Sequence, residues 1–148
     1  MARKPAVPER LRRQVQERAQ GRCEYCLMHE ADMYFPHEPD HVIAEKHGGP
    51  TSLENLAWAC FYCNRFKGSD LASVDPLSGK TVFLFNPREQ RWSRHFRLNG
   101  GRIEGITASW RATVALLHLN DAERVAYRLG LIALGHYPPA RSRYSCWR

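Results

Sequence analysis

Residues 23–67 read CEYCLMHEADMYFPHEPDHVIAEKHGGPTSLENLAWACFYCNRFK, and a Cys-x-x-Cys pair stands near each end of this stretch. The pairs are Cys23/Cys26 and Cys60/Cys63, with 33 residues between them. In a cytosolic chain such pairs indicate a metal site rather than disulfides. Four thiolates complete the tetrahedron that zinc prefers, so we expect a structural ion that clamps both ends of an inserted hairpin and loop. Reduced thiols without a metal, or an iron–sulfur centre, are the alternatives.

Charge is distributed unevenly along the 148 residues, although the net charge is only +7. Residues 1–22 carry 7 Lys/Arg and 2 Asp/Glu, residues 23–70 carry 3 and 8, and residues 71–148 carry 12 and 5. The acidic middle is what a cation site requires, and the basic flanks can neutralise phosphates. The pattern favours a nucleic acid as the partner, with a solvated basic surface as the alternative.

The first flank, residues 8–20, predicts an N-terminal helix. Pro8 suits the start of a helix, Leu11, Val15 and Ala19 recur at a spacing of four, and Gly21 ends the pattern. We expect this helix to pack on the zinc module and to present three arginines to solvent, which are Arg12, Arg13 and Arg18.

Within the module, residues 32–37 and 41–44 predict two short strands, residues 46–51 a loop, and residues 60–67 the start of a helix. Beyond residue 70, alternating patterns predict a β-hairpin from residues 81–85 and 91–98 and a third strand near residues 103–106. Residues 111–118 and 121–134 then predict two helices, with Asn120 as the cap of the second. The sequence predicts a single α+β domain over residues 1–148, with a zinc module at 23–70 and an extension at 80–136.

Several short motifs within the module resemble the HNH family of metal-dependent nucleases. These motifs are Asp40-His41-Val42-Ile43, Gly48-Gly49, Glu54-Asn55-Leu56 and Cys60-Phe61-Tyr62-Cys63-Asn64-Arg65-Phe66-Lys67. The resemblance implies a ββα-metal fold, and the order of hairpin, loop and helix predicted from the residues agrees with it.

The resemblance also implies roles for four residues. His41 would be the general base that takes a proton from water, a role that suits an imidazole near neutral pH. Asp40 and Asn64 would bind a catalytic Mg²⁺ or Mn²⁺ that is separate from the zinc, because hard oxygen ligands suit these ions. Asn55 would brace the loop and orient His41. The final residue of the motif is Asn64 here rather than histidine.

Three further residues, Lys67, Arg65 and His47, are expected to contact phosphates. His37 is ambiguous, because it could be a further ligand or a structural histidine at a strand edge. Cys146, the fifth cysteine, is expected to take no part in the metal site.

Together these features predict an HNH endonuclease that hydrolyses DNA phosphodiester bonds. A zinc-dependent nucleic-acid-binding module without chemistry and an RNA-directed nuclease are the alternatives. No apolar run approaches the length of a membrane span, and the Arg-rich start lacks the apolar core of a signal peptide, so we expect a soluble, cytoplasmic protein.

Overall fold

The computed structural model describes residues 6–140, and Cys146 lies outside this range. Within it the chain forms four α-helices, six short strands and three 3₁₀ turns. The helices are α1 (Glu9–Arg18), α2 (Phe61–Lys67), α3 (Ala108–Leu116) and α4 (Ala122–Ala133). The strands are β1 (Glu38–His41), β2 (Leu56–Ala59), β3 (Ala72–Val74), β4 (Thr81–Phe83), β5 (Phe96–Asn99) and β6 (Arg102–Gly105). The 3₁₀ turns are Glu30–Asp32, Glu45–His47 and Trp92–Arg94.

The strands pair antiparallel as three separate hairpins, β1 with β2, β3 with β4 and β5 with β6. The first hairpin places Asp40 opposite Ala57 and His41 opposite Leu56. Helix α2 follows β2 directly, so β1, β2 and α2 form the predicted ββα unit. The chain is therefore an α+β fold in which this unit holds the second cysteine pair at the junction between β2 and α2.

Both strands of the first hairpin differ from the sequence prediction. Residues 32–37 contain no strand, and β1 (Glu38–His41) shares only His41 with the predicted strand at 41–44. The partner strand, β2, is buried at all four positions, because α1 covers one side of the hairpin and the cysteine pairs the other. A strand buried on both faces has no alternation of polar and apolar residues, so the period-2 signal was absent.

Helix α1 confirms the predicted N-terminal helix and packs through Val15 and Ala19 on Leu56 and Trp58. Arg13 and Arg18 are exposed, as predicted, whereas Arg12 is half-buried. Arg12 lies over the Trp58 ring at 5.1 Å, and the exposed Arg18 nevertheless donates from Nη1 to the Leu53 carbonyl at 2.7 Å. Arg13 pairs with its helix neighbour Glu9. Two arginines of the basic flank therefore fasten the helix to the hairpin.

The extension contains the two predicted helices, but its hairpins are paired differently. Strand β4 (residues 81–83) pairs with β3, the strand that precedes it, and not with residues 91–98 as predicted. Strand β5 instead pairs with β6 across the turn at Gly100 and Gly101. Asn120 does not cap α4; its side chain bonds both backbone groups of Ile103 on β6, at 2.8 and 2.7 Å. Gly105 allows α3 to approach β6, because a Cβ atom there would lie 2.5 Å from the Arg111 nitrogen.

The main buried cluster contains residues from both the zinc module and the extension. Phe85, Trp92, Phe96 and Trp110 form an aromatic group whose ring centroids lie 4.0 to 5.4 Å apart, and Tyr25 joins it edge-on. The same cluster includes all four paired cysteines. This shared core supports the prediction of a single domain, which stays a prediction.

Candidate active site and metal centre

The four paired cysteines come together in the interior of the protein. All four are buried, and their Sγ atoms lie within 4.8 Å of one another. A zinc ion bound by four thiolates at about 2.3 Å requires sulfur atoms roughly 3.8 Å apart. The Sγ atoms of Cys26 and Cys60, one from each pair, are 3.7 Å apart. The donor set and its spacing fit a structural zinc ion.

Each cysteine pair has the backbone geometry that presents thiolates to a metal. The Cys26 amide points at Cys23 Sγ at 3.5 Å, and the Cys63 amide points at Cys60 Sγ at 3.4 Å. Such N–H donors stabilise negative charge on sulfur. The first pair is also tied to the hairpin, because the Glu24 amide donates to the Trp58 carbonyl at 2.8 Å.

A positive charge from the extension lies against this cluster. Arg124 on α4 directs Nη2 to Cys63 Sγ at 3.3 Å and to Cys60 Sγ at 3.9 Å. Burial acts to lower the pKa of Arg124, but the thiolates of Cys63, Cys26 and Cys60 outweigh it and raise the pKa. The guanidinium therefore stays charged and offsets part of the negative charge that four thiolates leave around a divalent ion.

Two further contacts hold the extension on the first cysteine pair. Trp92 Nε1 donates to the Tyr25 carbonyl at 2.9 Å, and the Tyr137 hydroxyl donates to the Cys26 carbonyl at 2.8 Å. Both donors are almost completely buried. The extension thus supplies hydrogen bonds to the first pair and a cation to the second.

Asp40 lies near the end of β1, and it is only 4% exposed. Its Oδ2 atom accepts from the Tyr25 hydroxyl at 2.7 Å and lies 3.2 Å from Lys67 Nζ, which also donates to Oδ1 at 3.4 Å. Burial is the strongest influence on the pKa of Asp40 and raises it, while Lys67 and Tyr25 oppose that effect. A carboxylate has about four lone-pair positions, so these contacts leave capacity for one more ligand.

Helix α2 brings Asn64 and Lys67 to the same face, because residues three apart on a helix are neighbours. Lys67 is 2% exposed and donates to the His41 carbonyl at 3.0 Å as well as contacting Asp40. Asn64 is half-buried, and within residues 6–140 its side-chain amide makes no hydrogen bond. The amide oxygen is therefore available as a ligand on the face of α2 that also carries Lys67.

Asn55 fixes the loop between β1 and β2. Its Nδ2 donates to the carbonyls of Ile43 and Pro50, both at 2.9 Å, and its Oδ1 accepts from the Ile43 amide at 3.0 Å. Glycine at position 49 lets the loop backbone pack closely against Ile43, because a Cβ atom there would lie 1.7 Å from the Ile43 carbonyl oxygen. One buried amide therefore holds both sides of the loop, which is the bracing geometry expected of Asn55.

His41 lies at the end of β1 with its ring half-exposed. Its Nε2 atom is 2.8 Å from Thr51 Oγ1 and 3.6 Å from Glu45 Oε1. The Thr51 hydroxyl in turn donates to Glu45 Oε1 at 3.2 Å. The ring is thus held on one side by the loop that Asn55 braces.

The remaining predicted residues occupy different environments. Arg65 is exposed beside the Phe61 ring, and His47 is exposed with Nε2 3.1 Å from the Ser69 carbonyl. Lys67, in contrast, is buried against Asp40, so its expected phosphate contact stays a prediction that the burial does not favour. His37 is fully buried and lies 2.9 Å from the Met28 carbonyl through Nε2, as a structural histidine would.

Sequence reasoning missed several of the contacts around the motif. Lys67 was predicted as a phosphate contact, and its pairing with Asp40 was not anticipated. Thr51 and Glu45 had no signal beyond their place in the loop. Arg124 lies 61 positions from Cys63, and only the folded chain shows that it reaches the thiolates.

The fold is an α+β module with a buried four-cysteine cluster that fits a zinc ion, and its β1–β2 hairpin carries Asp40 and His41. Residues 23–70 match the family model described as HNH endonuclease, so the family resemblance of this segment is confirmed. Neither the curated proteins nor the solved structures gave a match to the chain. HNH domains act on nucleic acids, and this segment therefore indicates a nuclease or nucleic-acid-binding function. Among residues 6–140, no helix has the length and apolar character needed to cross a membrane.

Proposed function

We propose that the protein is a metal-dependent HNH endonuclease that hydrolyses DNA phosphodiester bonds. The observation that carries the proposal is that β1 ends in Asp40 and His41, that α2 contacts Asp40 through Lys67 at 3.2 Å three residues after Asn64, and that Asn55 braces the loop that follows β1. Binding alone requires none of these residues in this arrangement. The basic flanks provide the charge that favours a polyanionic partner.

In the proposed reaction His41 acts as the general base. The ring takes a proton from a water molecule, the water oxygen forms a bond to phosphorus, and the bond from phosphorus to the 3′ oxygen breaks. This bond is the one whose cleavage leaves a 3′-hydroxyl and a 5′-phosphate, the products that the family resemblance implies, and the departing 3′ oxygen takes up a proton from solvent water. A base of this kind contributes about 10²- to 10⁴-fold to a rate.

Asp40 and Asn64 are the residues that would hold the catalytic divalent ion, either Mg²⁺ or Mn²⁺. Bound there, such an ion would neutralise the charge that builds on the phosphate and on the leaving oxygen. Lys67 keeps the Asp40 carboxylate in place through a contact of 3.2 Å. Arg65 and His47 are exposed near α2 and are proposed to contact phosphates.

The zinc ion has a structural role in this proposal. Its four cysteine ligands join the ends of the segment that contains Asp40, His41 and Asn55. Thiolate ligands must stay reduced to bind the ion, which suits a cytoplasmic protein. We therefore propose that the protein acts in the cytoplasm on DNA.

The rival function is nucleic-acid binding without chemistry, and one observation favours it. Asp40 already contacts Lys67 and Tyr25, so a weakly bound ion has to share the carboxylate with an ammonium group. The rival predicts DNA binding that does not depend on Mg²⁺ and is never followed by cleavage.

The test is to incubate zinc-loaded protein with supercoiled plasmid and with matched DNA and RNA strands. Each reaction contains Mg²⁺, Mn²⁺ or EDTA, and DNA binding is measured separately in EDTA. We expect metal-dependent cleavage of DNA that yields 5′-phosphate ends. DNA that is bound but left intact with every metal would support the rival, and cleavage of RNA alone would show that the substrate is RNA.

A further inference from the structure

The Thr51 hydroxyl lies between the His41 ring and the Glu45 carboxylate. It is 2.8 Å from His41 Nε2 and 3.2 Å from Glu45 Oε1. We propose that Thr51 and Glu45 are positioning residues that fix the tautomer and orientation of His41, so that Nδ1 is the atom that takes the proton from water. This inference rests on the proposed nuclease function and assigns roles to two residues outside the family motif.

The number of available hydrogens determines the direction of each bond. A carboxylate only accepts hydrogen bonds, so Thr51 donates its single hydroxyl proton to Glu45. The Thr51 oxygen must then accept from His41, which places the ring hydrogen on Nε2. A neutral imidazole has one N–H group, so Nδ1 retains the lone pair that a base requires. Within residues 6–140, Nδ1 makes no hydrogen bond that would occupy it.

The loop backbone holds both positioning residues in place. Asn55 bonds Ile43 and Pro50, which lie close in sequence to Glu45 and Thr51 respectively. The Gly49 amide also donates to the Ala44 carbonyl at 3.1 Å, which closes the loop between these two sides. Although the Thr51 side chain is exposed, these backbone hydrogen bonds therefore hold Thr51 in position beside the His41 ring.

A catalytic effect and a stability effect can be separated at this site. Hydrogen bonds in contact with solvent contribute little to folding, because water replaces them when they are lost. Orienting the imidazole of a general base affects the rate strongly, because the wrong tautomer offers no lone pair to the water. Loss of the Thr51 hydroxyl should therefore slow cleavage and leave folding and DNA binding almost unchanged.

The experiment compares Thr51→Val, which keeps the shape and removes the hydroxyl, with Thr51→Ser, which keeps the hydroxyl. Glu45→Gln removes the carboxylate, and Glu54→Gln is the matched control in the same loop, where Glu54 is exposed. Single-turnover cleavage rates are measured with saturating protein, and DNA affinity is measured in EDTA. We expect Thr51→Val and Glu45→Gln to slow cleavage by about tenfold or more, and Thr51→Ser and Glu54→Gln to stay within about threefold of the wild-type rate.

A spectroscopic readout tests the tautomer without any cleavage. Ring ¹⁵N–¹H correlation spectra of zinc-loaded protein, recorded where the ring is neutral, identify the protonated nitrogen, and His41→Ala assigns the signal. We expect hydrogen on Nε2 in the wild type and a mixture of tautomers in Thr51→Val. Hydrogen on Nδ1 in the wild type would overturn the inference.

The outcomes also distinguish this inference from the proposed function. Wild-type rates for Thr51→Val and Glu45→Gln, together with an inactive His41→Ala, would overturn the positioning roles and leave the nuclease function standing. A wild-type protein that cleaves no nucleic acid with any metal would overturn the function, and the positioning roles with it.

Discussion

At the scale of residues, Asp40 and Lys67 form a buried pair whose charges depend on each other. Asp40 is 4% exposed and Lys67 is 2% exposed, and their closest atoms are 3.2 Å apart. An ion pair of this kind adds little net stability compared with apolar residues, but loss of one partner leaves an uncompensated buried charge. The pair therefore holds a carboxylate in the interior at a position where an ion could also bind.

Replacement of Lys67 by methionine should accordingly destabilise the protein, by about 3 kcal/mol, because the Asp40 carboxylate loses its counter-charge. The measurement is denaturant unfolding of zinc-loaded protein, with the exposed Arg65→Met as the control. A lysine whose only role is to contact phosphate would leave the unfolding free energy unchanged and weaken DNA binding instead.

Asp75, which is remote from the candidate site, is a second charged residue. Its contribution to the stability of the fold depends on pH. Arg111 binds both of its oxygens, at 2.9 and 2.8 Å, and Ser78 and Leu77 add further hydrogen bonds. The Arg111 contact is the main cause that lowers the pKa of Asp75. Since the folded pKa lies below the unfolded value of about 3.9, the stabilisation is present above that pH and is lost as the pH falls through the folded pKa.

We therefore expect Asp75→Asn to lower the melting temperature at neutral pH and to lower it less in acid. Thermal unfolding followed from about pH 7 to pH 3 measures this difference. Glu104→Gln, which breaks a partly exposed pair with Arg97, is the control and should have a smaller effect. A difference between Asp75→Asn and the wild type that stays constant over the whole pH range would contradict the assignment.

At the scale of elements, the Arg124 side chain joins α4 to the four-cysteine cluster. Arg124 reaches Cys63 and Cys60 and also lies 5.7 Å from the Tyr62 ring. Groups that contact metal ligands typically affect metal affinity by about 10- to 100-fold. The helix therefore contributes to the zinc site although it provides no ligand.

Replacement of Arg124 by methionine should consequently make zinc leave about tenfold faster when a chelator is present. Zinc release is followed with a colorimetric chelator, and Arg97→Met, an exposed substitution in the same extension, is the control. Equal release rates for the wild type and Arg124→Met would contradict a role for α4 at the zinc site.

The elements also show what a sequence can and cannot predict. The four-cysteine cluster and the helix at residues 61–67 followed from spacing and composition, because ligands and helix starts have local signals. Strand β2 did not, because Leu56–Ala59 is buried on both faces and lacks alternation. Arg12 and Arg18 resembled a solvated basic face, yet their long stems reach the hairpin, and such long-range contacts have no local signal.

At the scale of the whole molecule, the zinc module and the extension share one buried cluster. The aromatic group of the extension and the four cysteines belong to the same core. Structural zinc provides a large part of the folding free energy in small metal-binding modules. The two parts are therefore expected to unfold together.

Zinc-loaded protein should accordingly unfold in a single transition, at the same denaturant concentration by tryptophan fluorescence and by circular dichroism. Removal of zinc should lower the midpoint for both probes. Two separate transitions, with one unaffected by zinc removal, would show that the extension folds independently of the module.

The most direct test of the central claim is the cleavage of supercoiled plasmid by the wild type, His41→Ala and His136→Ala in Mg²⁺ or Mn²⁺, after equal zinc content has been confirmed. His136 is exposed in the extension, so its replacement is a matched control. We predict metal-dependent cleavage by the wild type and by His136→Ala, and a loss of about 10²-fold or more for His41→Ala with DNA binding retained. Equal cleavage by His41→Ala and the wild type would contradict the assignment of this site as the nuclease centre.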